Sequence, residues 1–443
     1  MSYHHHLSAI FGPDIAQQLL ESLNETPKQA LRINPFKITT EWWEMRFPFH
    51  QRHPIVSNGF LLHDHSPAFG KHPYHAAGLY YLQEPSAMTV GELLPLKPND
   101  WVLDLCAAPG GKTTHVATRL GPKGRLIAND RTYARAQSLS ENVERFGLSN
   151  TVVTSVESKD LAIRFPETFD KIILDAPCSG EGMFRKNPLA EADWSLDKVA
   201  YCANLQTNLI ADAFKMLKPG GLLLYSTCTF SKQENEEQIL QALATFDCHL
   251  LTLPDIQGGD RGIHMPEAIR LLPIHFPGEG HFIALLQKNG NHFEEKRQYA
   301  SRSRFSQASY VRWQTFANET LKKNPFLATD LFQQGDQLYA YALPPDLFQG
   351  LRTLRNGIHL GEIREKYFVP QHALALAMHP DQAKNTINLE ASHADVARYL
   401  RGEPLASTMQ GYTLVCIDGN TLGWAKGSNG VLKNHYPKGL RRP

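Results

Sequence analysis

Two cysteines stand shortly after aliphatic segments of this chain, and their placement is the clearest sign of chemistry in the sequence. Cys178 follows residues 171–174 (KIIL), and Cys228 follows residues 220–224 (GGLLL). Short aliphatic runs bounded by Gly or Pro are typical of buried parallel strands. Because a ligand crevice lies outside the carboxyl ends of such strands, we expect both thiols to open into one cleft. A thiol placed there can act as a nucleophile and form a covalent intermediate.

A glycine-containing turn at residues 104–115 (DLCAAPGGKTTH) predicts a ligand site. Such a turn lets a ligand approach the backbone, and the helix that follows offers N–H groups to an anion. A phosphate loop fits at residues 111–113 but requires glycine where Cys106 stands, and a Gly-x-Gly-x-x-Gly fingerprint is absent. The third candidate ligand is S-adenosylmethionine (SAM), whose carboxylate suits the helix start and whose ribose needs an acid such as Asp130. An ordinary strand-to-helix turn is the alternative.

The elements that position these residues follow an alternating pattern. From residue 101 to about 288, strand-like and helix-like segments alternate, which predicts an α/β fold with a doubly wound, mainly parallel sheet. Before them, a helix over residues 14–23 and a strand over 30–36 indicate a small separate lobe. Residues 310–443 contain several short strand-like pieces and indicate one or two accessory domains.

Composition limits the class of protein. The chain has 443 residues, 42% hydrophobic and 20% charged, as expected for a globular protein of several domains. No apolar run approaches the roughly 18 residues of a membrane span, and the N-terminus lacks the pattern of a secretory signal, so we expect a cytoplasmic protein. The six cysteines show no CxxC spacing, which argues against disulfides and against a metal site. The tag-like tract at residues 4–6 (HHH) is left out of the metal argument.

The net charge of +1 conceals two basic regions. Residues 296–323 carry seven cations against one acid, with aromatic residues between them, and five cations follow Asp418 with no further carboxylate. Cations that neutralise phosphates and rings that stack on bases are typical of nucleic-acid contact. A solvated basic linker is the alternative.

Five sequence motifs, in their order and spacing, resemble those of the RNA 5-methylcytosine methyltransferases. They are QEPSAM (83–88), CAAPGGKT (106–113), ANDR (128–131), DAPCSGEG (175–182) and STCT (226–229). The flanking segments GKHPYHAAGLYYL and LKNHYPKGLR are similar to the bacterial RsmF-type subgroup, which is associated with 16S ribosomal RNA. The resemblance implies a Rossmann-like SAM-dependent methyltransferase core, a small N-terminal lobe and a C-terminal PUA-like RNA-binding region.

The resemblance also implies a division of the chain and a partner. The expected parts are an N-terminal RNA-binding lobe (1–80), a methyltransferase domain (81–290), a basic linker with a first C-terminal accessory domain (291–380) and a PUA-like domain (381–443). The expected partner is 16S rRNA or the 30S ribosomal subunit, with no membrane and no metal. A monomer is favoured, although the sequence leaves the oligomeric state open.

The family's two motif cysteines have different roles. Cytosine C5 is a poor nucleophile towards a methyl sulfonium, and a thiolate added at C6 makes C5 enamine-like. The cysteine of the STC motif is that nucleophile, which carries onto Cys228, and the cysteine of the DAPC motif assists breakdown of the adduct, which carries onto Cys178. Asp175 would contact N3 and the amino edge of the base and suits a general acid, and Lys186 would be a supporting cation.

The implied cofactor site comprises the turn after the first strand and acids at later strand ends. Its residues are Cys106, Ala107, Ala108, Pro109, Gly110, Gly111, Lys112, Asp130, Glu157 and Asp175. Two positions depart from the family pattern. Glu157 stands where an Asp is usual near the adenine amine, and Asn187 stands where an Asp commonly follows the Arg-Lys pair.

Three other functions stay open. A DNA cytosine-5 methyltransferase performs the same addition on a flipped base, but it carries its nucleophile in Pro-Cys-Gln, whereas Ser179 follows Pro177 and Cys178 here. A tRNA or another RNA could replace 16S rRNA as the substrate. A non-catalytic ribosome assembly factor would use only its basic surfaces, which leaves both motif cysteines without a role.

Overall fold

A computed structural model describes residues 2–63, 66–121, 123–291 and 305–442. Its N-terminal part packs helices against a small antiparallel sheet of order β2-β3-β1-β4. The elements are α1 (Tyr3–Phe11), α2 (Pro13–Ser22), β1 (Ala30–Ile33), α3 (Thr40–Arg46), β2 (Gln51–Arg52), β3 (Gly59–Leu61), α4 (Pro73–Ala76) and β4 (Tyr80–Leu82). The helix and the strand predicted here correspond to α2 and β1, whereas α1 was not expected.

The central part alternates strands and helices before it ends in antiparallel strands. Its helices are α5 (Pro85–Leu93), α6 (Gly111–Arg119), α7 (Tyr133–Arg145), α8 (Ser158–Arg164), α9 (Pro188–Ala192), α10 (Leu196–Met216) and α11 (Glu236–Thr245). Its strands are β5 (Trp101–Asp104), β6 (Arg125–Asn129), β7 (Thr151–Thr154), β8 (Phe169–Asp175), β9 (Leu217–Thr227), β10 (Cys248–Leu251), β11 (Asp260–Gly262), β12 (Met265–Leu271) and β13 (His281–Lys288).

The strands β9-β8-β5-β6-β7 form a parallel sheet in that order. β13 pairs antiparallel with β9, and β10, β11 and β12 extend this edge, also in antiparallel pairs. Asp175 at the end of β8 lies opposite Ser226 of β9, and Asp104 at the end of β5 lies opposite Ala128 of β6. The carboxyl ends of four strands therefore meet at one edge. The predicted Rossmann-like core is confirmed, and its antiparallel extensions are additional.

The parallel sheet is buried on both faces, because successive side chains of a strand point to opposite sides. One hydrophobic cluster contains Leu103, Ile127, Val152 and Ile172 with Leu209 and Phe214 of α10, and the other contains Val102, Leu126, Val153 and Ile173 with Val116 of α6 and Leu139 of α7. The continuous aliphatic runs in the sequence are the direct consequence of this double burial.

The C-terminal part contains two smaller sheets, of orders β14-β15-β17-β18 and β19-β21-β22-β23-β20. Its elements are α12 (Gln307–Thr320), β14 (Leu331–Gln334), β15 (Gln337–Ala340), β16 (Thr353–Asn356), β17 (Ile358–Ile363), β18 (Phe368–Pro370), α13 (His372–Ala377), β19 (Thr386–Leu389), α14 (Ala394–Arg401), β20 (Leu405–Ala406), β21 (Gly411–Ile417), β22 (Asn420–Ser428) and β23 (Val431–Asn434). β15 and β17 belong to the first of these sheets, whereas β16, which lies between them in sequence, pairs antiparallel with β7 of the central sheet.

The basic region predicted at residues 296–323 is only partly described. Residues 296–304 lie outside the described residues, and the rest of the region includes α12. Within the described ranges, no helix is both long and apolar enough to cross a membrane. The same residues contain no group of three or more His, Cys, Asp or Glu side chains placed to hold a metal ion.

Candidate active site

Cys178 and Cys228 lie side by side, with 3.3 Å between their Sγ atoms. Both are free and half-buried. They are brought together because β8 and β9 are parallel neighbours that end at Asp175 and Thr227, shortly before each cysteine. The hydrogen bond with Cys228, then burial and the charges of Cys228 and Glu234, raise the pKa of Cys178 well above its ordinary value. The raised pKa of Cys178 favours its neutral thiol form, and its sulfur lies within hydrogen-bond distance of Cys228 Sγ.

Lys112 and Asp175 form an ion pair at the same edge of the sheet. Lys112 Nζ lies 2.6 Å from Asp175 Oδ2, and the Ser226 hydroxyl donates to Asp175 Oδ1 at 2.8 Å. Burial acts to raise the pKa of Asp175, but the charges of Lys112 and His281 and the two hydrogen bonds hold it below its ordinary value. Burial acts to lower the pKa of Lys112, but the negative charges of Asp175 and of a Cys228 thiolate help to raise it. Lys112 thus interacts electrostatically with both Asp175 and Cys228.

The turn between β5 and α6 is held in shape by α7. Gly110 has a φ of 112°, in the left-handed region, and a Cβ there would lie 3.1 Å from a leucine of α7, so both backbone and space favour glycine. Arg135 donates to the carbonyl of Ala108, and Asn142 donates to that of Pro109. α6 begins at the next residue, and the N–H groups of a first helical turn have no intrahelical partners. The turn therefore presents a helix start suited to an anion.

Two buried carboxyl groups flank this turn. Asp130, directly after β6, is 3% exposed and accepts a hydrogen bond from the Thr132 N–H at 3.0 Å. Asp104, at the end of β5, accepts from the Thr113 hydroxyl at 2.6 Å, while its Oδ1 is buried without a partner among the described residues. Burial raises the pKa of Asp104 to about 7. A buried acceptor without a donor, close to a helix start, fits a ligand that carries both an ammonium and a carboxylate group.

Comparison with protein families divides nearly the whole chain among four related models. Residues 92–287 match 16S rRNA methyltransferase RsmB/F, and residues 2–85 match the N-terminal domain of 16S rRNA methyltransferase RsmF. Residues 315–378 match the RsmF rRNA methyltransferase first C-terminal domain, and residues 386–442 match the methyltransferase RsmF PUA domain.

Curated relatives match over the full length. The ribosomal RNA small subunit methyltransferase F of Aeromonas salmonicida is 31% identical, over 99% of this chain and 96% of that protein. That of Pectobacterium atrosepticum is 31% identical, over 94% of this chain and 90% of its own length. The chain belongs to the ribosomal RNA small subunit methyltransferase F family. The family resemblance drawn from five short motifs is confirmed, and the chain is an enzyme of the methyltransferase class.

Solved structures give the methyltransferase F core further support. A methyltransferase homolog protein from Pyrococcus horikoshii has a TM-score of 0.57 and 30% identity, covering 64% of this chain and 93% of that one. NSun6 from the same organism, solved with SFG, has a TM-score of 0.59 and 23% identity, covering 65% and 98%. The second likeness shows the shared fold alone.

Two predicted site residues of this methyltransferase F chain have their described ion-pair contacts outside the thiol pair and the Lys112–Asp175 pair. Lys186 has its described ion-pair contact with Glu279, at 4.0 Å, beside the closer pair of Arg185 and Glu279. The side chain of Glu157 is 49% exposed and lies 3.8 Å from Arg131, so it stands at the rim rather than among the buried acids. Their roles towards base and cofactor stay predictions.

Two buried acids of the methyltransferase F site were not singled out from the sequence. Glu181, in the DAPCSGEG motif, is fully buried and accepts from the Trp194 indole at 3.0 Å and from the Phe230 N–H at 3.1 Å. Glu234, six residues after Cys228, is equally buried. Each acid lies within or just after a cysteine motif, and this position could have drawn attention to it. The burial of a single acidic residue, however, cannot be inferred from a spacing pattern.

The tag-like histidine tract is part of the folded methyltransferase F chain. α1 places His6 Nε2 3.2 Å from Glu181 Oε1, and the His6 and Trp194 rings lie 5.3 Å apart. Tyr3 packs on the same indole, with its ring 5.0 Å from that of Trp194. The N-terminal helix therefore covers the loop that carries Cys178.

Proposed function

We propose that this enzyme transfers a methyl group from SAM to C5 of a cytosine in 16S rRNA, with Cys228 as nucleophile and Cys178 aiding product release. The proposal rests on one observation, two thiols 3.3 Å apart at the carboxyl ends of adjacent strands beside the Lys112–Asp175 pair. Family membership supports the choice of substrate, because the full-length relatives are named for the small-subunit ribosomal RNA.

In the first step, Cys228 Sγ forms a bond to C6 of the cytosine. The C5–C6 π electrons move towards C4 and N3, and the proton lost by the thiol balances the proton gained at N3. The thiolate is the attacking form of a cysteine, and Lys112, paired with Asp175, supplies the positive charge of the site. Asp175, held ionised by Lys112, accepts a hydrogen bond from the amino group of the base and can relay the proton to N3. Its low pKa favours this relay over the role of a standing general acid.

The residues around the α6 start fit SAM. The first-turn N–H groups suit its carboxylate, the unpartnered Asp104 Oδ1 suits its ammonium, and Asp130 suits its ribose hydroxyls. SAM supplies an electrophilic methyl group on a sulfonium. Once C5 has taken this methyl group, the adduct still has to be opened.

In the last step, solvent water takes the proton from C5, the electron pair of that C–H bond re-forms the C5–C6 double bond, and Cys228 leaves with the electron pair of its bond to C6. N3 gives up the proton it gained in the first step, and this proton returns to the Cys228 thiolate by way of Asp175. The raised pKa of Cys178 favours its neutral thiol, which lies 3.3 Å from the Cys228 sulfur and can donate a hydrogen bond to it as that sulfur leaves. A hydrogen bond to a departing thiolate lowers the barrier to its departure. This contact gives the second thiol a physical reason to be present.

The first test measures transfer. Purified enzyme with tritiated SAM is expected to label 16S rRNA and not duplex DNA, and bisulfite mapping is expected to place the methyl group at C5 of cytosine. Cys228→Ala should transfer nothing, whereas Cys248→Ala, at a half-buried cysteine on β10, should transfer normally. Labelled DNA, or full transfer by Cys228→Ala, would contradict the proposal.

The second test separates the two thiols. Cys178→Ala is expected to leave enzyme covalently attached to RNA in a complex that survives denaturation, because bond formation continues while release slows. Cys228→Ala and the double variant should form none. A complex formed by Cys228→Ala instead would exchange the two roles.

A further inference from the structure

Glu234 lies in the short segment between Cys228 and α11 and makes a network around the neighbouring cysteine loop. Its Oε2 accepts hydrogen bonds from the Ser179 N–H and from Gln206 Nε2, both at 2.9 Å, and its Oε1 accepts from the Ser179 hydroxyl. Gln206 Nε2 also donates to the carbonyl of Pro177 at 2.9 Å. The residues on both sides of Cys178 are therefore held by the Glu234–Gln206 pair.

The same network reaches the loop of the nucleophile. The Ser179 hydroxyl lies 2.8 Å from the Thr229 hydroxyl, and Thr229 directly follows Cys228. The Tyr225 hydroxyl of β9 donates to the backbone carbonyl of Glu234 at 2.6 Å, which anchors the segment itself to the strand before Cys228. Glu234 thus connects both cysteine loops through Ser179 and is placed to fix the distance between the two sulfur atoms.

Burial of Glu234 at this position lowers the stability of the folded chain. Its side chain is fully buried, and no lysine or arginine among the described residues forms an ion pair with it. Burial, added to the nearby charge of Glu181, raises its pKa to about 7 in spite of the hydrogen bonds from Ser179 and Gln206. A buried acid without a cation lowers stability, and such groups concentrate at functional sites. Its charge also acts directly on the site, since it helps to keep Cys178 protonated.

We propose that Glu234 is the positioning residue that holds the Cys178 thiol against the Cys228 sulfur, and that adduct breakdown depends on it. The inference rests on the proposed function, because it assumes that Cys178 opens the adduct. Glu234 itself touches neither RNA nor cofactor in this role. Its loss should therefore slow release while leaving bond formation to Cys228 in place.

The test compares Glu234→Gln with Cys178→Ala, and with Glu237→Gln as a matched control at an exposed glutamate in the first turn of α11. Glutamine keeps the shape of Glu234 but replaces one of its two acceptor oxygens by an NH₂ group. That group cannot accept a hydrogen bond from Ser179 or Gln206. We expect Glu234→Gln to lower steady-state turnover at least tenfold and to accumulate the denaturation-resistant RNA complex, as Cys178→Ala does. Methyl transfer in a single turnover should fall less than threefold, and Glu237→Gln should behave as the unaltered enzyme.

The outcomes separate the inference from the proposal beneath it. If Cys178→Ala accumulates the complex and Glu234→Gln does not, the inference is overturned while the proposed function stands. If Cys178→Ala itself accumulates none, the proposed function fails. Should Glu234→Gln not fold, Gln206→Met removes the contacts to Pro177 and Glu234 with similar bulk and is expected to accumulate the complex to a smaller extent. A folded Gln206→Met enzyme with normal turnover and no complex would equally overturn the inference.

Discussion

At the scale of single residues, Lys112 belongs to two parts of the site. Its backbone belongs to the first turn of α6, in the predicted cofactor turn, while its ammonium group pairs with Asp175 across the sheet. The sequence could place Lys112 in the turn because the motif is continuous there. It could not predict the partner, because β5 and β8 become neighbours only when the sheet forms.

Replacing Lys112 by Met is expected to leave Asp175 buried without its cation. Breaking such a pair from one side should lower the free energy of unfolding by about 3 kcal/mol, the low end for a buried pair because the Asp175 side chain is partly exposed, and should raise the pKa of Asp175. Lys112→Met combined with Asp175→Asn should recover most of that loss in a double-mutant cycle measured by urea unfolding. Lys159→Met, at an exposed lysine of α8, is the control. A loss that is simply additive would show that the two groups do not interact.

Asp104 predicts a pH dependence of stability. Its pKa is about 7 in the folded chain and near the ordinary 3.8 when unfolded, so the folded chain binds more protons between these values. The stability contribution of this group is therefore present at low pH and declines as pH rises from about 4 to 7. Each pKa unit corresponds to about 1.4 kcal/mol, so Asp104→Asn should flatten the decline measured by urea unfolding at pH 5 and pH 8. An unchanged slope would contradict the raised pKa.

At the scale of elements, the parallel strands were predictable and their outer neighbours were not. Aliphatic runs such as residues 171–174 mark a strand buried on both faces, because few other elements require such a run. β16 carries no comparable signal, since its sequence TLRN is polar and its partner β7 lies about 200 residues earlier. α1 was missed for a different reason, because three histidines hide the helical spacing of Leu7 and its neighbours.

The contact of α1 with the Cys178 loop predicts unequal roles for adjacent histidines. His6 contacts Glu181 and packs on Trp194, whereas His5 is exposed. His6→Ala should lower the free energy of unfolding by about 1 kcal/mol, in line with the loss of one buried polar contact, while His5→Ala should change it little. Thermal unfolding followed by circular dichroism measures both. Equal effects of the two variants would show that α1 does not pack as described.

At the scale of the whole molecule, the N-terminal and C-terminal parts meet. One hydrophobic cluster joins Leu31 and Trp43 to Val415 and Leu422, and the Tyr74 hydroxyl donates to Asp418 at 2.7 Å. No sequence pattern indicates such a contact, because it depends on packing between distant segments. The fourfold division at residues 80, 290 and 380, the cytoplasmic location and the monomeric state stay predictions.

The C-terminal part carries a basic and aromatic surface whose contribution to RNA binding can be measured. Lys426 Nζ lies 4.9 Å from the Tyr412 ring centre, and the His435 ring packs against the same tyrosine. The burial of His435 and the positive charges of Lys433 and Lys426 lower the pKa of His435. If these lysines neutralise two phosphates, Lys426→Ala with Lys433→Ala should reduce the slope of log affinity against log salt by about 2. Affinity for 16S rRNA at physiological salt should fall about tenfold or more, whereas Lys159→Ala should change neither quantity. Filter binding over a range of salt concentrations gives both the affinity and the slope. Because only contacts that release counterions contribute to the slope, an unchanged slope would show that RNA binds to another surface.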